Sequence, residues 1–205
     1  MSRDANHHDD GHPVVAALLD AIMWPLRKVR RELIPQARGR VLEIGVGTGS
    51  NLPLYRGVES VTGVEPDPHM LRRARKRAEK VAFPVELHQQ GAEALSFEDA
   101  SFDTVIATWV LCTVGDPERV AEEMRRVLAP EGVLIFAEHT LSPFAGAARV
   151  QRRLTPWWSR CAAGCRLDRD SIKTIREAGF RDVDVRPARR ERFTLVPVYL
   201  GTARG

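Results

Sequence analysis

A chain of 205 residues, 43% of them hydrophobic and 28% charged, has the length and apolar content of a globular protein built around one sizeable core. Its 31 Lys+Arg against 27 Asp+Glu leave a formal charge of +4, with arginines gathered at residues 27–31, 72–77, 149–153 and 186–192. Clusters this dispersed read as solvated helix faces, so no nucleic-acid partner is expected. The three cysteines, Cys112, Cys161 and Cys165, make neither a disulfide framework nor a recognisable zinc spacing, so a reducing cytoplasm is expected and no metal is assigned. No stretch has the make-up of a signal peptide or the apolar length of a membrane span.

In chain order, residues 1–12 are polar and read as a disordered tail. From Pro13, apolar residues at Val14, Val15, Leu18, Leu19, Ile22, Leu26 and Val29 recur at helical spacing, with Pro25 as an expected kink and a basic end at Arg27, Lys28, Arg30 and Arg31. Residues 13–35 are read as a helical lid on their own domain. Peripheral contact with an anionic membrane is the alternative use of such a basic amphipathic helix. Val41, Leu42 and Ile44 then form a buried strand, followed by Gly45, Gly47 and Gly49 at alternate positions. Glycine there lets the backbone turn tightly and come close to a ligand. Ser50 stands where a dinucleotide fingerprint places its third glycine, and no Gly-Lys-Ser/Thr follows, so neither that fingerprint nor a P-loop fits.

A helix is expected to start at residues 51–55, and residues 60–65 read as a second strand ending in Glu65, eighteen positions after Gly47. An acid at that place in a doubly wound sheet can accept hydrogen bonds from both hydroxyls of a ribose. A basic helix over 69–81, a third strand at 85–89, and a turn at Gly91, Ala92 and Glu93 follow. The fourth strand is expected at 102–108, with Trp109 leaving the sheet at its ligand edge. Asp116 and Pro117 open a helix over Val120, Met124 and Val127, and a fifth strand at 133–137 delivers Glu138 and His139 to that edge. Residues 140–166 interrupt the alternation and are read as a substrate-covering insert containing Trp157 and Trp158. A helix from an Asp168 cap to Ala178 and strands at 181–186 and 193–201 complete the chain; Pro197 suits an edge strand or a bulge. Alternating strands and helices predict a parallel α/β sheet.

With these residues in place, the chain resembles the class I S-adenosylmethionine-dependent methyltransferases from about Arg40 to His139. Residues 41–49 look like their glycine motif, 64–67 their acidic motif, 91–93 their adenine-side motif, and 102–112 and 126–132 their later ones. One departure is Glu131, where the family usually repeats glycine. The resemblance implies a Rossmann-like fold with a seven-stranded, mostly parallel sheet flanked by helices, in one domain over 13–205. It implies S-adenosyl-L-methionine as methyl donor and S-adenosyl-L-homocysteine as product. Cofactor contacts are then expected from Glu43, Gly45, Gly47, Gly49, Asn51, Leu52, Glu65, Pro66 and Met70. On the far side of the site they are expected from Gly91, Ala92, Glu93, Thr108, Trp109 and Cys112. A narrower similarity, in residues 110–114, 138–139, 156–157 and 164–170, is to methyltransferase-like thiol S-methyltransferases and their bacterial relatives; their membrane-anchoring N-terminal segment is not matched.

The activity implied is methyl transfer to a small-molecule thiol by a monomer or homodimer. N-methylation of a small amine or phospholipid headgroup is the alternative, and a cofactor-binding protein without transferase activity the second. His139, with an ordinary pKa near neutrality, is the expected proton acceptor or substrate orienter, and Trp109 its neighbour at the acceptor.

Overall fold

A computed structural model describes residues 26–188 and 195–205. The tail at 1–12 and the first half of the expected lid lie outside these residues. What is described of the lid is α1 (Arg27–Leu33), continued by a 3-10 turn at Ile34–Gln36.

Seven strands, β1 (Gly39–Ile44), β2 (Val58–Val64), β3 (Val85–His88), β4 (Phe102–Thr108), β5 (Leu128–His139), β6 (Arg181–Pro187) and β7 (Val198–Arg204), form one sheet in the order β3-β2-β1-β4-β5-β7-β6. All pairs are parallel except those of β7, which runs antiparallel between β5 and β6. A parallel sheet needs cover on both faces, and the strand sequences supply apolar residues to both. Leu42, Ile44, Val105, Ala107, Leu134 and Phe136 join one core, against α3 (Pro117–Val127) and α5 (Ser171–Glu177). The alternate residues Val41, Ile106, Ile135 and Ala137 join the other, with Leu33, Ile34, Leu52 and Tyr55. A third small cluster seats α2 (Pro68–Ala78) through Leu71 and Ala74 on Val46.

The helix starts follow side-chain chemistry. Asp67 accepts the His69 and Met70 amides and Asp116 accepts the Arg119 amide, each ahead of a proline in the first helical turn.

Several expectations are corrected. The helix expected at 51–55 is a single 3-10 turn, Leu52–Leu54. The fifth strand begins at Leu128, five residues early, because the chain leaves α3 directly in extended conformation and shifts register between the β4 partners Phe102 and Thr104. Residues 140–166 are largely regular: α4 (Ala145–Cys161) runs for 17 residues with Pro156 inside it. Asp170 caps α5, accepting the Lys173 amide, whereas Asp168 pairs with Arg166. The last strand starts after Pro197 and lies inside the sheet, with β6 at the edge.

Candidate active site

The strand register brings the ends of β1, β2 and β4 level, with Ile44 beside both Val64 and Ala107. Immediately beyond β1, Gly45, Gly47 and Gly49 adopt φ values of 63°, 56° and 79°, a region costly for residues with a Cβ. At Gly49 space is tight as well, since a Cβ would lie 3.0 Å from the Ala74 Cα. The turn is tied to the acidic end of β2: the Gly47 amide donates to Glu65 Oε2 (3.0 Å) and the Asp67 amide to Glu65 Oε1 (3.0 Å). Burial pushes the Glu65 carboxyl up to about 7, against those two amide bonds.

Glu43 sits beneath this turn, fully buried. Both its oxygens are hydrogen-bonded within the fold: Asn51 Nδ2 donates to Oε1 (2.8 Å) and the Tyr55 hydroxyl to Oε2 (2.8 Å). Burial still raises its carboxyl to about 7. The sequence reading offered a cofactor group as the partner of Glu43; the geometry makes it a support for Asn51, which also donates to Thr108 Oγ1 (3.2 Å). Asn51 Oδ1 is buried and has no hydrogen-bond partner among the described residues. Leu52 belongs to the core, Met70 is buried at the start of α2, and Pro66 is exposed beside them. In the turn after β3, Gly91 is exposed and Ala92 buried, while Glu93 Oε1 accepts the Gly115 amide (3.0 Å), joining that turn to the loop after β4.

The other half of the site is assembled from distant positions. Trp109, next after β4, has φ 58°, unusual for a bulky residue and maintained by its amide bond to the Ala137 carbonyl (2.8 Å). The Arg30 guanidinium of α1 lies over its ring at 5.1 Å from the centroid. The Val110 and Leu111 amides donate to Glu138 Oε1 (2.7 and 3.2 Å), so the end of β5 fixes the loop after β4. Glu138 is fully buried, its Oε2 is without a partner among the described residues, and burial raises its carboxyl to about 7.

His139, 5% exposed, places Nε2 3.2 Å from Cys165 Sγ. Burial opposes its protonation, yet Cys165 and Glu138 beside it raise its pKa overall. Cys112, 1% exposed, completes the group, and the ligand-type atoms of all three lie within 4.8 Å of one another. The Cys165 thiol is drawn well below its ordinary range by a hydrogen bond with Cys112 and, against burial, by the contact with His139.

Backbone ties hold this cluster. The Arg166 amide donates to the Cys112 carbonyl (2.8 Å), Ser171 Oγ to the His139 carbonyl (3.2 Å), and Arg169 Nη1 to the Leu111 and Val114 carbonyls (2.7 and 2.6 Å). Buried Gln151 of α4 accepts the Ser142 amide and donates to the Thr140 and Leu167 carbonyls. Sequence reasoning missed Cys165, Gln151, Arg169 and the action of Glu138 on the loop. For Cys165 the only signal was its place in the 164–170 similarity. Trp158 donates to the Cys165 sulfur, whereas Trp157 is 63% exposed.

A methyltransferase-domain family model matches residues 42–136. The human thiol S-methyltransferase TMT1B is 33% identical over 168 residues, spanning 76% of this chain and 69% of that protein, and the rat protein 32% over 186 residues, spanning 84% and 76%. A phosphatidylethanolamine N-methyltransferase from Cereibacter sphaeroides is 43% identical over 118 residues, 57% of this chain and 58% of that protein. Among solved structures, the [4+2]-cyclase SpnF matches with a TM-score of 0.71 over 98% of this chain and 87% of its own, at 21% identity. An S-adenosylmethionine-dependent methyltransferase from Thermotoga maritima gives 0.66 over 93% and 97%, at 23%. These structural likenesses establish the fold. The site residues suit the donor that the family uses: a glycine turn lets the backbone approach it closely, and an acid at the end of β2 and the unpartnered Oδ1 of Asn51 offer acceptors for hydroxyl and ammonium groups. The chain belongs to the class I S-adenosylmethionine-dependent methyltransferases, and S-adenosylmethionine is its cofactor.

Proposed function

We propose that the protein transfers the methyl group to the sulfur of a small thiol. The observation that carries this reading is buried His139 at the end of β5, its Nε2 against a sulfur and its proton affinity raised. The cofactor, when bound, supplies an electrophilic methyl on a sulfonium. Glu65 and the glycine turn would hold the adenosine portion, and Asn51, supported by Glu43 and Thr108, the amino-acid portion. A free thiol has a pKa of about 8.5, so its sulfur needs only to lose a proton before attack. An imidazole that accepts or shares that proton meets the requirement. Trp109 and the surrounding apolar side chains exclude water, and alignment in such a site is worth about 7–11 kcal/mol in favourable intramolecular models. The relatives named as thiol S-methyltransferases support the same acceptor.

A second reading, N-methylation of a phospholipid headgroup, is favoured by the Cereibacter sphaeroides relative and by the exposed side of α4, where Val150, Leu154 and Trp157 alternate with arginines. No helix among the described residues is long and apolar enough to cross a membrane. The test is methyl transfer to a panel of aliphatic and aromatic thiols, amines, phenols and phosphatidylethanolamine vesicles. Turnover of thiols is expected; turnover of amines or vesicles alone removes this reading.

A further inference from the structure

We propose that Cys112, His139 and Cys165 form a Cys2His site for a zinc-class divalent cation, whose fourth position receives the acceptor thiolate. The ion site stands on geometry alone. The assignment of its fourth position rests on the thiol reading above.

The three ligand atoms come from three separate elements, the loop after β4, the end of β5 and the loop before α5, and they converge within 4.8 Å. Bonds of about 2.3 Å to sulfur and 2.0–2.1 Å to nitrogen put neighbouring atoms of a tetrahedral zinc site about 3.5–3.8 Å apart. The observed Nε2–Sγ separation of 3.2 Å needs only a small opening to admit an ion. Two cysteines and a histidine are the donor set that soft and borderline cations prefer. The backbone ties from Arg166 to Cys112 and from Ser171 to His139 hold the ligands in place. Two thiolates neutralise a divalent ion, and the fully buried Glu138 carboxyl, with Oε2 unpartnered among the described residues, is next in sequence to His139. The Arg169 guanidinium donates to the Leu111 and Val114 carbonyls. The third cysteine, Cys161, is exposed and outside the cluster.

Three protein ligands leave one coordination position, the arrangement of a catalytic rather than a structural zinc. A substrate thiol entering there loses its S–H proton to solvent and becomes a metal-bound thiolate. Its sulfur lone pair then forms the new S–CH3 bond, and the donor's C–S bond breaks with its electron pair leaving on the donor sulfur. No oxidant or reductant is consumed. With the ion bound His139 is a ligand and no longer a base, and the ion takes over ionising the acceptor, the task given above to the metal-free imidazole.

The experiment uses the full chain purified under reducing conditions, stripped with chelator and titrated with Co2+. One equivalent of cobalt, with a sulfur-to-cobalt charge-transfer band in the near ultraviolet, is expected, as is one equivalent of zinc by mass spectrometry after growth with zinc. Cys165→Ser and Cys112→Ser should lose the band and Cys161→Ser should keep it. Calorimetry with S-adenosylmethionine checks that each variant is folded. Cobalt uptake without the thiolate band, or an identical band in Cys165→Ser, overturns the ion site. A thiol acceptor should shift the visible cobalt bands. Thiol methylation at an undiminished rate by the stripped protein overturns the catalytic assignment while leaving the thiol reading intact. A cobalt-binding protein that methylates only amines defeats the thiol reading and its fourth-ligand corollary, with the ion site still supported by its spectrum.

Discussion

The two halves of the site are built in different ways. On the cofactor side, β1, the glycine turn and the end of β2 lie within 26 residues of sequence, from Gly39 to Val64, and Glu65 closes the turn by a bond from Gly47. On the proposed acceptor side, Cys112, His139 and Cys165 come from three segments and meet only after β4, β5 and the α4–α5 connection have packed. A local site carries its geometry in backbone dihedrals and short-range bonds. A convergent one depends on distant ties such as Glu138 to the Val110 and Leu111 amides and Gln151 to Thr140 and Leu167. On the proposed reading the first kind holds the donor that the family shares, and the second is free to set the acceptor.

Variants can break this contrast, and the largest effect is expected on the acceptor side. His139→Ala should lower kcat with the thiol acceptor on the order of 100-fold, the lower range for loss of a proton-handling group, with the steady-state rate as readout. A loss confined to cofactor KM would place His139 on the wrong half. On the cofactor side, Gly49→Ala should destabilise the fold by about 1–3 kcal/mol, because the left-handed backbone and the Ala74 contact both oppose a Cβ. Urea unfolding measures this, and an unchanged midpoint would mean the turn is less confined than described.

Glu43 gives a pH test of the same half. Its folded pKa of about 7 lies above the ordinary carboxylate value of 4.5, so in this interval the folded state binds the extra proton. Its favourable contribution is complete below about pH 4.5 and is lost as pH rises through 7. Glu43→Gln can still accept from Asn51 and donate to the Tyr55 oxygen. It should flatten the stability profile between pH 4.5 and 7 and gain on the order of 1–3 kcal/mol relative to the parent by pH 8. An unaltered slope would show that Glu43 ionises normally. The smallest effect is expected at Trp157, well exposed on α4: Trp157→Ala should change unfolding free energy by within about 0.5 kcal/mol while lowering cosedimentation with anionic vesicles if α4 meets lipid.

The same contrast explains what could be read from the chain. Buried parallel strands advertise themselves as apolar runs, so the fourth strand was expected at its observed bounds, whereas the bond from the Gly47 amide to Glu65 has no signature in the spacing. The start of β5 was missed because Ala129, Pro130 and Glu131 carry turn chemistry while the chain is held extended by its sheet neighbours. Asp168 and Asp170 are equally good caps by composition, and only packing selects the second, which also bonds Thr140. Glu43 needed a partner, and the sequence could not say that Tyr55, twelve residues on, would provide one. His139 and Cys165 are 26 residues apart, a separation that no helix or strand period relates. The scattered cysteines therefore looked incidental until the fold brought two of them to one histidine.

The division between a local cofactor side and a convergent acceptor side is tested most directly by calorimetric titration of S-adenosylmethionine into Glu65→Ala and His139→Ala beside the parent chain. Loss of the charged acceptor at Glu65 should cost about 1.5–3 kcal/mol, a roughly ten- to hundredfold weaker Kd, while His139→Ala binds within about twofold of the parent. Equal weakening in both variants, or unchanged affinity in Glu65→Ala, would contradict it.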